Sequence, residues 1–219
     1  MTVSESREMY LKTIYELENG DTPVPVSLIA ERLGVSAVSA TEMIKRLEGN
    51  ELVVHTPYKG VELTKNGRLR ALSVVRRQRL WGRFLADQLQ IPWEYVYDFA
   101  CRLEHATDDA VTEALAKFLG HPKICPHGSP IPDTDGVVEP LNDVPLNEVV
   151  IGNLGRVTRI DRPETTLCTY LVERGLLPGV SFLLEDEAPY NGPLSLRIEE
   201  REVAIGREIA GRIYVELEG

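Results

Sequence analysis

Three side chains able to hold a transition metal stand close together in the chain: Cys101, Glu104 and His105, within the run ACRLEH over 100–105. On a helix the spacing i, i+3, i+4 projects all three from one face. A thiolate, a carboxylate and an imidazole make a divalent transition-metal site that lacks one or two ligands. The same spacing also suits a buried cysteine beside an unrelated exposed Glu-His pair, so the pattern by itself leaves both readings open. No second cysteine pair and no HxxxH accompanies it, which argues against a structural zinc site.

Enzymatic chemistry finds little support. The chain has no GxSxG, no P-loop and no glycine-rich dinucleotide fingerprint. A Cys101–His105 nucleophile pair within one helix lacks an oriented third group and an oxyanion hole. The expectation is a protein that is not an enzyme and has no small-molecule substrate. Cys101, Cys125 and Cys168 are odd in number and far apart, which is not a disulfide framework. No run of about 18 apolar residues exists, and the polar start MTVSESREMYLK lacks the core of a signal peptide. The expected location is the cytoplasm, with no membrane partner.

The elements that must position these groups follow from periodicity. Residues 4–19 place Met9, Tyr10, Ile14 and Leu17 at helical spacing, with Thr2 and Glu5 as a capping box. Residues 26–35 read as a short helix ending at Gly34. Residues 36–50 read as another, capped by Ser36, with Val38, Met43, Ile44 and Leu47 facing inward. Two β-branched runs around Pro57 and Gly60 predict a hairpin over 52–64. Helix, helix–turn–helix and hairpin in that order make a winged helix–turn–helix, whose second motif helix enters the major groove of DNA. Ser36, Ala37, Ser39 and Thr41 would then approach bases, and Lys45, Arg46 and the hairpin's Lys59 would meet phosphates.

A long helix over 65–90 follows, basic first and then apolar. Helices over 93–105 and 107–119 come next, the last capped by Thr107. Their large apolar side chains predict a two-fold homodimer interface. Six prolines between 120 and 146 mark a semi-rigid linker. Beyond it, alternating runs over 148–161, 180–188, 194–205 and 212–217, with a helical insert over 165–175, predict a small β-barrel. The fold class is therefore α+β. The expected domains are 1–73, 74–140 and 147–219.

The net charge of −10 speaks against nucleic-acid binding until its distribution is considered. Residues 36–80 hold nine basic side chains against four acidic ones, a local +5 that leaves −15 elsewhere. Phosphates respond to the nearby field, so a basic stripe on an acidic protein is compatible with a DNA footprint. A solvated helix face accounts for the stripe equally well.

The runs EMYLKTIYELE (8–18), IAERLGVS (29–36), SATEMIKRLEGNELV (39–53), ACRLEH (100–105) and CPHGSPIP (125–132) together resemble the diphtheria-toxin-repressor family of metal-dependent transcriptional regulators. That family includes iron-dependent regulators and manganese transport regulators. The resemblance runs in order to about residue 135. The C-terminal segment resembles the SH3-like, FeoA-type domain of many members.

The resemblance implies an N-terminal winged helix–turn–helix, a helical dimerisation and metal-binding domain, and a C-terminal SH3-like barrel. It implies a homodimeric repressor of metal-homeostasis genes, bound to an inverted-repeat double-stranded operator and activated by Fe²⁺ or Mn²⁺. The primary metal ligands it implies are Met9, Cys101, Glu104 and His105. Soft sulfur ligands favour Fe²⁺, with Co²⁺ or Ni²⁺ as substitutes in vitro, over Mn²⁺. The family's ancillary site is mostly missing. Gln78, Gly82, Tyr97 and Leu167 stand at ligand positions, Glu164 alone fits, and His127 or Asp98 would have to serve a relocated site. Two rivals remain on the sequence: a metal-independent regulator sensing oxidants through Cys101, and a metal-storage or chaperone protein.

Overall fold

The computed structural model describes residues 5–18 and 23–218. The chain divides into two compact units. One comprises 1–77, 104–108 and 132–138; the other comprises 78–103, 109–131 and 139–219. The middle segment expected from the sequence, 74–140, thus contributes residues to both.

The first unit holds α1 (Glu5–Leu17), α2 (Val26–Leu33), α3 (Ala37–Glu48), the strands β1 (Val53–Thr56) and β2 (Gly60–Leu63), and the start of α4 (Lys65–Asp87). Thr2 of the expected capping box lies outside the described residues. Gly34 ends α2 in the left-handed region at φ 64°, and Ser36 caps α3 by accepting the Ser39 N–H at 3.1 Å. The strands pair antiparallel, and Val24 adds a bridge to Val61. Thr64 caps α4 by accepting the Gly67 N–H at 3.0 Å. Gly67 is required there, because a Cβ would lie 1.8 Å from the Leu52 carbonyl oxygen.

Tyr10, Leu11, Ile14, Ile29, Ala40, Ile44, Leu47 and Val61 fill the core of this unit. One inward residue expected on α3 is misplaced. Val38 is 71% exposed, and Ala40 takes the buried position. Residues 40, 44 and 47 form a stripe at helical period, and 38 lies two residues off it.

The second unit contains the rest of α4, α5 (Trp93–Glu104) to Leu103, and α6 (Asp109–Phe118). α6 begins two residues after the expected cap Thr107. Leu80, Leu115, Ala116, Cys125 and Ile131 pack together, as do Leu85, Val96 and Ala100. Leu89, Tyr95, Phe99, Val111 and Phe118 stay exposed.

The C-terminal part is an SH3-like, six-stranded antiparallel sheet in the order β3-β8-β4-β5-β6-β7. Its strands are β3 (Val144–Pro145), β4 (Leu154–Ile160), β5 (Ser181–Glu187), β6 (Leu194–Ile198), β7 (Arg201–Ile205) and β8 (Ile213–Leu217). The helix α7 (Thr165–Arg174) follows β4, and the short α8 (Arg207–Ala210) precedes β8. Two strand expectations change. Residues 146–148 form a 3₁₀ turn, so β4 starts only at Leu154, and 194–205 is a hairpin rather than one strand. Its turn at Glu199, φ 54°, carries no glycine or proline to announce it.

The proline-rich segment docks on this sheet. Ile160 N–H donates to the His127 carbonyl at 2.9 Å, and Trp93 Nε1 donates to the Pro126 carbonyl at 2.9 Å. Gly128, φ 87°, permits the approach, since a Cβ would stand 1.9 Å from the Thr158 carbonyl oxygen. Trp93 also packs against the sheet's core of Leu146, Val157, Leu171 and Phe182.

Candidate metal centre

Within the first unit, α1, α4 and the turn after α5 bring five charged or titratable groups into one chain. Arg77 Nη2 meets Glu8 Oε1 at 2.7 Å. Glu8 Oε2 meets His105 Nδ1 at 2.9 Å. His105 Nε2 faces Glu104 Oε1 at 3.2 Å, and Lys12 Nζ donates to both Glu104 oxygens, at 3.0 and 2.7 Å. Glu104 is 2% exposed, Lys12 6% and Arg77 8%. Groups so far from water persist only when paired.

The local sequence explains the placement. Glu8 and Lys12 are i and i+4 on α1, one above the other on one face. α5 ends at Glu104, so His105 lies in the following turn rather than on the helix. Arg77 Nη1 pins that turn by donating to the Thr107 carbonyl at 2.8 Å.

Electrostatics sets the two carboxylates apart. Burial pushes Glu8 up, but hydrogen bonds from His105 and Arg77 and their charges outweigh it and hold Glu8 below its ordinary value. Burial pushes Glu104 above its ordinary value, and Lys12 and His105 only partly oppose the shift.

The donor set fits a divalent ion. When Glu8 accepts the Nδ1 proton, Nε2 presents its lone pair toward Glu104 Oε1. Two acceptors 3.2 Å apart repel unless a cation or proton lies between them. Metal–nitrogen and metal–oxygen bonds of roughly 2.0–2.2 Å put two donors on one ion about 3 Å apart. A carboxylate behind the distal nitrogen fixes the tautomer and ring orientation of a ligating histidine, and Glu8 is placed for that role.

Of the expected primary ligands, the structure therefore brings Glu104 and His105 together. Cys101 is half-buried one turn earlier on α5, and Met9 follows Glu8 on α1 at 41% exposure. Among the described residues, no three His, Cys, Asp or Glu side chains already form a cage. None of the three cysteines is in a disulfide.

On α3 most of the expected DNA-facing residues lie outside the buried stripe of Ala40, Ile44 and Leu47. Ser36, Ala37, Ser39, Lys45 and Arg46 are exposed, as is Lys59 at the hairpin tip; Thr41 is partly buried. The Ser36 hydroxyl is already engaged in capping α3, and Thr41 donates to the Ala37 carbonyl at 2.7 Å.

Three family models match in order. The iron-dependent repressor N-terminal DNA-binding domain matches residues 2–61, the iron-dependent repressor metal-binding and dimerisation domain matches 64–133, and the FeoA domain matches 144–217. The iron-dependent repressor IdeR of Mycobacterium tuberculosis is 32% identical over 97% of both chains. This chain belongs to the iron-dependent repressor family.

Other members agree with that placement. The diphtheria toxin repressor of Corynebacterium jeikeium is 39% identical over 70% of this chain and 65% of its own length. A solved manganese-dependent transcriptional repressor in complex with manganese superposes with a TM-score of 0.89 at 33% identity, covering 97% of this chain and all of its own. As a member of the iron-dependent repressor family, this protein is a metal-dependent, DNA-binding transcriptional repressor and not an enzyme. Among the described residues, no helix is long and apolar enough to cross a membrane.

At the ancillary positions of this repressor, metal donors give way to other contacts. Glu164 pairs with Arg212 at 2.9 Å, Leu167 is buried in the sheet's core, and Asp98 accepts from Thr165 at 2.5 Å. His127 packs its ring against Trp93, with centroids 4.6 Å apart, and its Nε2 lies 3.2 Å from the Trp93 carbonyl. Cys168 is buried and points at the Pro163 carbonyl; burial, with Asp98 next, pushes its thiol up to about 12.

Sequence reasoning missed Glu8, Lys12 and Arg77. The signal for Lys12 was a charge inside the apolar run MYLKTIY. Glu8 and Arg77 carried no local signal, because their partners are 97 and 69 residues away.

Proposed function

We propose that this repressor acts as a homodimer on an inverted-repeat operator, and that one divalent ion per chain, held by Met9, Cys101, Glu104 and His105, switches it on. The observation that carries this reading is the 3.2 Å approach of His105 Nε2 to Glu104 Oε1, with Glu8 holding the opposite nitrogen. Fe²⁺ is the proposed physiological ion, because Met9 and Cys101 contribute soft sulfur; Mn²⁺ is the alternative, and Co²⁺ or Ni²⁺ would substitute in vitro. When bound, such an ion supplies a concentrated positive charge shared by donors from α1 and α5.

The residues of the chain do the rest. Glu8 fixes the His105 tautomer. Arg77 holds both Glu8 and the turn that carries His105. Met9 ties α1, and with it the winged helix–turn–helix core around Leu11 and Ile14, to the donors after α5. The ion activates by binding the DNA-competent arrangement better than the alternative, so operator and metal must strengthen each other's binding equally. The exposed apolar side chains Tyr95, Phe99, Val111 and Phe118 supply surface for the dimer, which would set two recognition helices roughly 34 Å apart. Ser36, Ala37, Ser39 and Thr41 approach bases, while Lys45, Arg46 and Lys59 meet phosphates. The segments 1–73, 74–140 and 147–219 serve DNA binding, sensing with dimerisation, and the SH3-like accessory role. Glu164 is retained only as an ancillary ligand that would first have to leave Arg212. A protein of this kind works in the cytoplasm, beside the chromosome.

The test is fluorescence anisotropy on a duplex selected from a random pool, run anaerobically with and without Fe²⁺ or Mn²⁺. Either ion should tighten binding, and Cys101→Ala should abolish the gain. Affinity unchanged by both ions would overturn the reading.

A further inference from the structure

The ammonium of Lys12 holds both oxygens of Glu104, at 3.0 and 2.7 Å, and both side chains are almost wholly buried. Oε1, the oxygen that faces His105 Nε2, is one of the two. A resident cation therefore already sits on the carboxylate that the proposed site needs.

We propose that Lys12 is an internal competitor for the metal. In the metal-free protein its ammonium occupies Glu104, and a divalent ion takes this carboxylate only by displacing it, so Lys12 sets the concentration at which the repressor loads. The inference rests on Glu104 being a ligand, as argued above.

The occupied oxygens and the repulsion between neighbouring cations favour the exchange. Around His105 the charges of Arg77, Glu8, Glu104 and Lys12 balance, and Glu16 adds a further negative charge acting on Glu104. A divalent ion added with Lys12 in place would put a second cation within a few ångströms of the first, on one oxygen, in a site shielded from water. That repulsion is weakly screened. Exit is feasible, because lysine is a flexible four-carbon stem that can carry its charge to solvent.

The exchange also changes how α1 is held. Lys12 and Met9 are three residues apart on the same helix, so release of one accompanies capture of the other. Glu8 holds α1 to His105 and Arg77, and the exchange would remove Lys12 and add Met9 as the further tether.

The test titrates full-length apoprotein with Zn²⁺ alone and Co²⁺ alone by calorimetry, for the wild type, Lys12→Gln and Lys12→Arg. Removing one partner of a buried pair destabilises the metal-free state that the ion must otherwise break. Lys12→Gln should therefore bind about tenfold tighter or more, and Lys12→Arg should stay near the wild type. A second readout needs no variant. The ¹⁵N-resolved resonance of the Lys12 ammonium should be protected in the apoprotein and lose that protection at one equivalent of Zn²⁺. Equal or weaker binding by Lys12→Gln, or an ammonium still protected at saturation, overturns the competitor role alone. Failure of every form to bind either ion overturns both it and the metal reading.

Discussion

His105 turns Nδ1 to the Glu8 carboxylate at 2.9 Å, across 97 residues of sequence, and Nε2 to Glu104 at 3.2 Å. On the proposed reading, a residue that is not itself a ligand sets which nitrogen of His105 faces the ion.

The consequence is measurable. Outer carboxylates behind ligating histidines are worth about 10–100-fold in metal affinity. Glu8→Gln keeps the side chain's size but weakens its hold on the Nδ1 proton and on Arg77. Calorimetric titration with Co²⁺ should show a loss in that range, with thermal unfolding of the apoprotein still cooperative. An unchanged affinity would mean that Glu8 does not position His105.

The second unit should lose stability in mild acid. Burial pushes the His127 imidazole from its ordinary 6.5 down to about 4, against the opposing Trp93 carbonyl and Asp98 charge. Between those values the unfolded chain binds a proton that the folded one refuses, so stability rises with pH across this window and is lost on acidification. The full span corresponds to about 3 kcal/mol. In the first unit Glu8, held below its ordinary value, acts with the same sign at lower pH, and Glu104, held above its ordinary value, with the opposite sign. Urea unfolding between pH 7 and about 4.5 should show the slope, and His127→Gln should flatten it. A variant with the wild-type slope would contradict the assignment.

DNA contacts separate by type. If Lys59 and Arg46 meet phosphates as proposed, Lys59→Ala or Arg46→Ala should weaken operator binding and reduce the slope of log affinity against log salt by about one. Val38, 71% exposed at the front of α3, carries no charge, so Val38→Ala should leave that slope unchanged whatever it does to affinity. Anisotropy across a salt series reads both. A wild-type slope in the lysine and arginine variants would place the DNA elsewhere.

The legible parts of this molecule are those written locally. Ser36 as a cap, Gly34 as a stop, the hairpin around Gly60 and the ends of α7 each follow from a few neighbouring residues, and the structure places them within a residue or two. That Glu104 and His105 lie side by side follows from their adjacency in sequence. What escaped depends on distant partners. Lys12 finds Glu104 across 92 residues, and Arg77 finds Glu8 across 69. Val38 was misassigned because a valine on a short helix looks inward until Ala40, Ile44 and Leu47 define the stripe. The Glu199 turn escaped because its left-handed residue is not glycine.

The central claim is that Glu104 and His105 share one divalent ion. Anomalous difference maps from anaerobic crystals soaked in Fe²⁺, and separately in Mn²⁺, test it directly. The account predicts one strong peak per chain, about 2.0–2.2 Å from both Glu104 Oε1 and His105 Nε2, with Lys12 withdrawn from Glu104. A peak at Glu164 or His127 instead, or no peak near Glu104, would contradict it.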